Sequence, residues 1–353
     1  MFQSVVVKNF RCFSGLALSQ LARVNLIAGK NNTGKTALLE AIRLNCDPVN
    51  AGLPNEIDKE RGVADPLKGF EEVTSWLFWG RHPGQGADVQ LQDDKGYWRY
   101  LNIYFVDAPS LMERFPETFR LLYQSIGSRG TYPPYLILEY RGPNEETAIT
   151  AGFTHDNGFS WTPARITQAL PCVFIPSGTP VSSRDVKFFG ELEVAKRKGE
   201  ILPSVQIVEP RLQGMSLVPL AGELVIHGDI GLPRLVPVPF MGEGTRRVLS
   251  ILLAIANSRG GVVLIDEIEN GLHYSVQQQV WQAIAHAARQ NDVQVFATTH
   301  SWECIREADA AFSADAVYDF GLHRLDRVGD AIEVVSYDRE GTEVSLAAGL
   351  EMR

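Results

Sequence analysis

Residues 29–36, Gly-Lys-Asn-Asn-Thr-Gly-Lys-Thr, match G-x-x-x-x-G-K-[ST] at every fixed position. That spacing is phosphate chemistry. Gly29 and Gly34 let the backbone come close, and the amides of Lys30, Asn31, Asn32 and Thr33 line the loop between them. Lys35 reaches the β- and γ-phosphates, Thr36 offers its hydroxyl to Mg²⁺, and Ala37 continues into a helix whose N-terminus attracts the anion. A second chemical stretch lies far downstream, where the apolar run Val262-Val263-Leu264-Ile265 ends in Asp266 and Glu267. Asp266 is expected to hold Mg²⁺ through water, and Glu267 to polarise the water that attacks the γ-phosphate. A third apolar run, 292–299, ends in Thr298-Thr299-His300, from which His300 is expected to contact the γ-phosphate and sense its loss. Between these sites, Met241-Gly242-Glu243-Gly244-Thr245-Arg246-Arg247 puts two glycines before a helix expected from Thr245. Such an end exposes helix amides to an anion. One loop already serves one nucleotide, so the simplest use of this second end is the nucleotide of another subunit.

These residues need a frame that brings strand ends together. Val24–Ala28 reads as a strand and 37–44 as a helix, which gives the strand–loop–helix context of a phosphate loop. Cys172–Ile175, 261–267 and 292–299 read as buried strands of a main parallel sheet, whose carboxyl ends share one edge. Helices are expected over 245–258, with Val248, Leu249, Leu252, Leu253 and Ile255 apolar, and over 275–290, with Val276, Val280, Trp281, Ile284 and Ala288 on one face. Before 170 the pattern is antiparallel. Residues 89–92 and 97–106 flank the turn Asp93-Asp94-Lys95-Gly96, and 135–140 and 147–153 flank Gly142-Pro143-Asn144. Residues 110–127 and 185–199 read as helices, and 203–239 as short strands among Pro and Gly.

The chain has 353 residues, of which 45% are hydrophobic and 21% charged, enough for a large core. A net charge of −9 argues against a protein that wraps nucleic acid through general basicity. Cys12, Cys46, Cys172 and Cys304 show neither C-x-x-C nor metal-ligand spacing, which fits reduced thiols in a cytoplasmic protein. No signal peptide is recognised and no apolar run is long enough to span a membrane. There is no coiled-coil heptad tract and no internal repeat. A P-loop kinase or GTPase is disfavoured: the guanine-reading Asn-Lys-x-Asp is absent, and the glycine-bounded helix at 242–247 would be idle.

With the P-loop, Gly242-Glu243-Gly244, Asp266-Glu267 and His300 in this order, the chain resembles ABC-type ATPases. It lacks Leu-Ser-Gly-Gly-Gln, and the separation of Lys35 from Asp266 exceeds that usual in transporter subunits. The opening Lys8-Asn9-Phe10-Arg11, the block from Leu264 to His273 and Phe296-Ala297-Thr298-Thr299-His300-Ser301 resemble the SMC/RecF side of the superfamily. Within it the chain is similar to the OLD-like group, also known as AAA-15 and AAA-21 ATPases. The resemblance implies an α/β ABC-type head with a mixed central sheet, an antiparallel β subdomain and a small helical signature subdomain. One ATPase domain is expected, with a P-loop lobe over 1–176, a signature subdomain over 177–260 and a Walker B and His-switch lobe over 261–353.

The same resemblance implies ATP and Mg²⁺ as ligands and a head-to-head homodimer. Gly242, Gly244 and Arg246 would complete the partner's site, and Asn9 and Arg11 would lie near the base or ribose. Glu269 to His273 would form the D-loop region. No Q-loop glutamine can be placed after Ile175, so that task falls to Ser177, to Ser182 or to no residue. Too few residues follow His300 for the Toprim nuclease of full-length OLD proteins, so a nuclease effector is expected on a separate chain. The function implied is an ATP-driven switch that controls an effector in bacterial anti-phage defence. The competing function is a RecF-like repair clamp, for which DNA is the partner.

Overall fold

The computed structural model describes residues 1–63, 65, 69–126, 134–143, 146–155, 158–162, 164, 166, 170–178 and 183–352. Strands β1 (Phe2–Phe10), β2 (Phe13–Leu18) and β3 (Val24–Ala28) lead into α1 (Lys35–Cys46), α2 (Leu53–Glu60) and α3 (Phe70–Thr74). Then come β4 (Ala87–Asp93), β5 (Trp98–Val106), α4 (Ala108–Arg114), α5 (Pro116–Ile126), β6 (Tyr135–Arg141), β7 (Thr147–His155) and β8 (Gly158–Trp161). The middle of the chain forms β9 (Cys172–Ile175), α6 (Ser183–Val194), α7 (Leu202–Val205), β10 (Gly214–Leu220), β11 (Glu223–Asp229), β12 (Val236–Pro237) and α8 (Glu243–Asn257). It closes with β13 (Val262–Ile265), α9 (Tyr274–Gln290), β14 (Gln294–Thr299), α10 (Trp302–Ser313), β15 (Phe320–Val328), β16 (Ala331–Tyr337) and α11 (Arg339–Ala347).

The chain divides into two units that interleave in sequence: Met1–Leu21, Asn31–Leu170 and Leu325–Val335 form one, and Ala22–Lys30, Pro171–Arg324 and Ser336–Arg353 the other. The first unit holds a seven-stranded antiparallel sheet in the order β2-β1-β4-β5-β6-β7-β8. Alternation sets its buried face. Val5 pairs with Leu91 and Val7 with Val89, and all four are buried. Helix α1 is tied to β4 and β5 by the Asn45 amide, which donates to the Val89 and Arg99 carbonyls. The helix read over 110–127 is two helices. Phe115 lies before Pro116, whose ring disfavours helical backbone at the preceding residue, and Phe115 adopts φ −139°, ψ 65°. The helix read over 185–199 runs from Ser183 to Val194.

In the second unit β9, β13, β14, β3 and β15 are neighbours and run parallel, with β16 beyond β15. Every residue of β3, β13 and β14 is buried, and β3 and β13 are almost continuously apolar, as strands covered on both faces must be. The expected P-loop lobe is therefore not a unit of its own: β3 belongs with the downstream strands, between β14 and β15. A single core joins Leu26, Val263, Ile265, Val295 and Ala297 to Leu249, Leu252 and Leu253 of α8, Trp281 and Ile284 of α9, and Ile305 and Phe312 of α10. A separate three-stranded sheet, β10-β11-β12, lies in the same unit.

His323 of β15 is buried, with Nδ1 2.8 Å from the Ser336 hydroxyl, and burial lowers its pKa to about 4. The folded chain thus binds this proton less readily than the unfolded chain, whose histidine titrates at about 6.5. The stability is present in full above about pH 6.5 and is lost as the pH falls toward 4. Denaturant melts should give a loss of about 2 kcal/mol from this group between pH 7 and pH 5. The His323→Gln variant should show a correspondingly flatter pH dependence.

Candidate nucleotide site

The strand register gathers the chemistry. Ile265 pairs with Ala297 and Thr299 with Ala28, so β13, β14 and β3 end on one edge of the parallel sheet. Asp266, His300 and Gly29 each follow directly from one of these strand ends.

The phosphate loop leaves β3 through Gly29, at φ +150°, and enters α1 through Gly34, at φ +90°. The chain passes from one unit to the other between Lys30 and Asn31. Gly34 is the N-cap residue of α1 and no side chain caps the helix, whose N-terminal end is of the kind that attracts an anion. Glycine is required here for a second reason. A Cβ at residue 34 would lie 2.6 Å from the Cys12 Sγ and 2.7 Å from the Phe13 ring. Lys35, Thr33 and Ala37 are buried, Thr36 is half-buried, and Asn31 and Asn32 are exposed. Arg327 donates to the Asn32 carbonyl at 3.1 Å and braces the loop from outside.

Asn9 and Arg11, expected beside base or ribose, have partners within the first unit. The Asn9 amide donates to the carbonyls of Gly86 and His82. The Arg11 guanidinium lies 3.2 Å from Glu40 of α1 and 2.8 Å from Asp58 of α2, and Arg61 donates to the other Glu40 oxygen at 2.6 Å. Both residues hold left-handed backbone, at φ 50° and 52°. An arginine paired with two buried carboxylates braces the phosphate-loop helix, and its charge is already balanced there.

On the sheet edge of the second unit, Thr298 links the two acids. Its hydroxyl donates to Asp266 Oδ1 at 2.6 Å and accepts from the Glu267 amide at 2.8 Å. Glu267 sits at φ 47°, a left-handed conformation that costs a non-glycine residue about 1 kcal/mol or more. Buried Arg247 supports it, donating to the carbonyls of Asp266 at 2.5 Å, Glu267 at 3.1 Å and Pro176 at 2.8 Å. Burial lowers the Arg247 pKa against the opposing pull of Asp266, Glu269, Glu267 and Glu243. Asn270 donates to Glu267 Oε2 at 2.7 Å. His300 Nδ1 lies 3.7 Å from Glu267 Oε1 and 3.4 Å from Glu269 Oε1. Asp266, Glu267 and His300 therefore share one organised group. Of the residues that organise it, sequence reading placed Glu269 and Asn270 only in the D-loop region and gave no role to Thr298 or Arg247. Arg247 was legible only as a charge in the glycine-bounded segment, because its partners are carbonyls from distant strands.

Helix α8 begins at Glu243, two residues before the expected start, so Gly242 is its cap and Gly244 lies within its first turn. Gly242 is exposed and a Cβ there would meet nothing within 4 Å, whereas a Cβ at Gly244 would lie 3.0 Å from the Gly271 carbonyl. Gly244 thus serves close packing against the Glu269–Leu272 turn, and Gly242 offers the open amide end. Arg246 is half-buried. Ser177 is exposed, while Ser182 lies outside the described residues.

Thr36, in the first unit, and Asp266, in the second, each carry the hard oxygen that Mg²⁺ takes, and among the described residues there is no cluster of three or more His, Cys, Asp or Glu that could hold a metal. No helix among the described residues is long and apolar enough to cross a membrane.

Residues 1–60 match a family described as an AAA ATPase domain. Residues 174–305 match an AAA-domain family whose description names the AbiEii toxin and type IV toxin–antitoxin systems. A curated ATP/GTP phosphatase of Helicobacter pylori is 23% identical over 347 residues, covering 88% of each chain. An uncharacterized protein of Methanocaldococcus jannaschii, MJECL10, is 46% identical over 79 residues, which cover 22% of this chain and 31% of that one. Among solved structures, an SMC head bound to the C-winged helix domain of ScpA superposes with a TM-score of 0.50 at 13% identity, covering 96% of this chain and 98% of that one. The phosphate loop, the acid pair after a buried parallel strand and these matches together identify AAA-type ATPase domains at both ends of the chain, on a fold like that of an SMC head.

Proposed function

We propose that the chain is an ATP-hydrolysing switch that closes head-to-head around ATP and controls a separate effector protein in anti-phage defence. The observation that carries the hydrolytic part is the group at the sheet edge: Asp266 and Glu267 joined through Thr298, with His300 beside them. Lys35 and the loop amides bind the phosphates, and Thr36 and Asp266 supply the protein oxygens for Mg²⁺. That ion neutralises charge on the phosphate oxygens when bound. Glu267 takes the proton of the attacking water. His300 faces the γ-phosphate, and its loss of that contact reports hydrolysis. The match to a family named for a toxin supports the defence role, and the ScpA-bound state of the SMC head supports a partner that reads the ATPase.

Magnesium-dependent release of phosphate from ATP by the purified chain, together with ATP-dependent doubling of its mass in light scattering, tests the switch. Absence of both overturns it. Duplex DNA binding that requires ATP and weakens with salt would favour the repair-clamp function instead.

The dimer rests on the N-terminus of α8 acting on a partner's nucleotide, and Gly242→Asp tests it. Gly242 has extended backbone at φ −59°, ψ 151° and open space around it, so the fold accepts the change. Aspartate is moreover a good helix cap and should hold or raise the melting temperature. It occupies the free amides and places a negative charge where a γ-phosphate would come. ATP binding to the monomer should stay within about threefold, while dimerisation and turnover should fall at least about tenfold. Mixed with Lys35→Ala, it should recover at most one working site per heterodimer. Normal turnover by Gly242→Asp would mean that hydrolysis is completed within one subunit.

A further inference from the structure

We infer that Glu269 is the positioning residue for His300, fixing both the seat of its ring and the nitrogen that carries the ring proton. The inference rests on the ATPase reading for its kinetic consequence only. The Glu269 side chain is 9% exposed, and its Oε1 gathers three groups from the end of β14. It accepts from the Thr299 hydroxyl at 2.8 Å and from the His300 backbone amide at 2.9 Å, and it lies 3.4 Å from His300 Nδ1. Its Oε2 is buried and makes no hydrogen bond among the described residues. Burying a carboxylate oxygen in this way costs free energy that simple packing would avoid.

Two carboxylates, Glu269 and Glu267, face Nδ1 within 4 Å. A lone pair on Nδ1 would point at negative oxygens and be repelled, whereas a proton there is attracted. Nδ1 therefore keeps the proton in the neutral ring, and Nε2 is the nitrogen left for a ligand. An unconstrained neutral imidazole in water prefers the opposite tautomer, with its proton on Nε2. The Thr299 and backbone contacts supply the second half of the device, since they hold the ring's anchor at the sheet edge. Glu269 lies three residues beyond Asp266, and it touches His300 only because β13 and β14 are neighbours.

Nitrogen-15 histidine spectra of the full chain, with His300→Gln to assign the signal, read the tautomer directly. The wild type should show the proton on Nδ1. Glu269→Ala should move it to Nε2, and Glu269→Gln, whose amide oxygen can still accept from Thr299 and the backbone, should give a mixture. In turnover, Glu269→Ala should lower kcat at least about tenfold with KM for ATP within about threefold, and Glu269→Gln should recover part of that loss. The double variant with His300→Ala should be no slower than His300→Ala alone, because both changes remove one function. A wild type protonated on Nε2, a tautomer unmoved by Glu269→Ala, or losses that multiply in the double variant would each overturn the inference. If Glu269→Ala does not fold, Glu269→Gln decides, and a wild-type tautomer with wild-type kcat overturns it. Full activity in His300→Ala would remove His300 from hydrolysis, while the tautomer spectra would still decide whether Glu269 positions it.

Discussion

Alanine in place of Lys35 is expected to lower the affinity for ATP at least about a hundredfold while the chain stays folded. A hundredfold loss is about 2.7 kcal/mol, within reach of a charge-assisted hydrogen bond withdrawn from a phosphate chain. The loop amides and the uncapped first turn of α1 remain, so weak phosphate binding should persist and the loss should be large without being total. Lys35 is only 8% exposed and opens the helix, so the fold must be watched as well. Alanine has the highest helix propensity, and the rest of α1 is anchored by buried Leu38, Leu39, Ile42 and Asn45. Titration calorimetry with ATP and Mg²⁺ gives the affinity and thermal melting gives the fold. Unchanged affinity in a folded variant would place the nucleotide elsewhere.

Local patterns in this chain were legible because they are local. Val24–Ala28 is a strand at the expected residues, and the hairpin around 93–96 and the pair around 142–144 fall where alternation and turn residues put them. Helix α9 starts one residue before its expected start, with His273 as cap. The failures have physical causes. A pre-proline residue broke the helix over 110–127 at Phe115, and Gly244, read as preceding its helix, lies within the first turn, packed against Gly271. What no pattern could supply was pairing at long range. The Arg11 guanidinium finds Glu40 and Asp58, Thr298 bridges Asp266 and Glu267, and β1 pairs with β4 about 80 positions away. The side chains that could touch a ligand were therefore readable as types, whereas the side chains that hold them emerged only with the fold.

Glutamine in place of Glu267 is expected to leave ATP binding intact, to cut hydrolysis at least about a hundredfold and to trap ATP-bound dimers. The size follows from general-base catalysis, whose removal costs about 10²–10⁴ in rate. The substitution is nearly isosteric, and the environment of the side chain tolerates it. An amide oxygen can still accept from Asn270, which donates to Oε2 at 2.7 Å. The left-handed backbone at residue 267 is imposed by main-chain contacts to Thr298 and Arg247, which glutamine leaves in place. The variant should thus keep its fold, its Asp266 geometry and its phosphate affinity, and lose only the group that takes the proton. Because hydrolysis is what opens the proposed dimer, the bound state should then persist, and light scattering with ATP should show dimer where the wild type shows exchange. Wild-type turnover in Glu267→Gln would release Glu267 from the role of base. His300, whose Nδ1 lies 3.7 Å from that carboxylate, would be the next group able to take the proton, and His300→Ala in the Glu267→Gln background would then abolish the remaining activity.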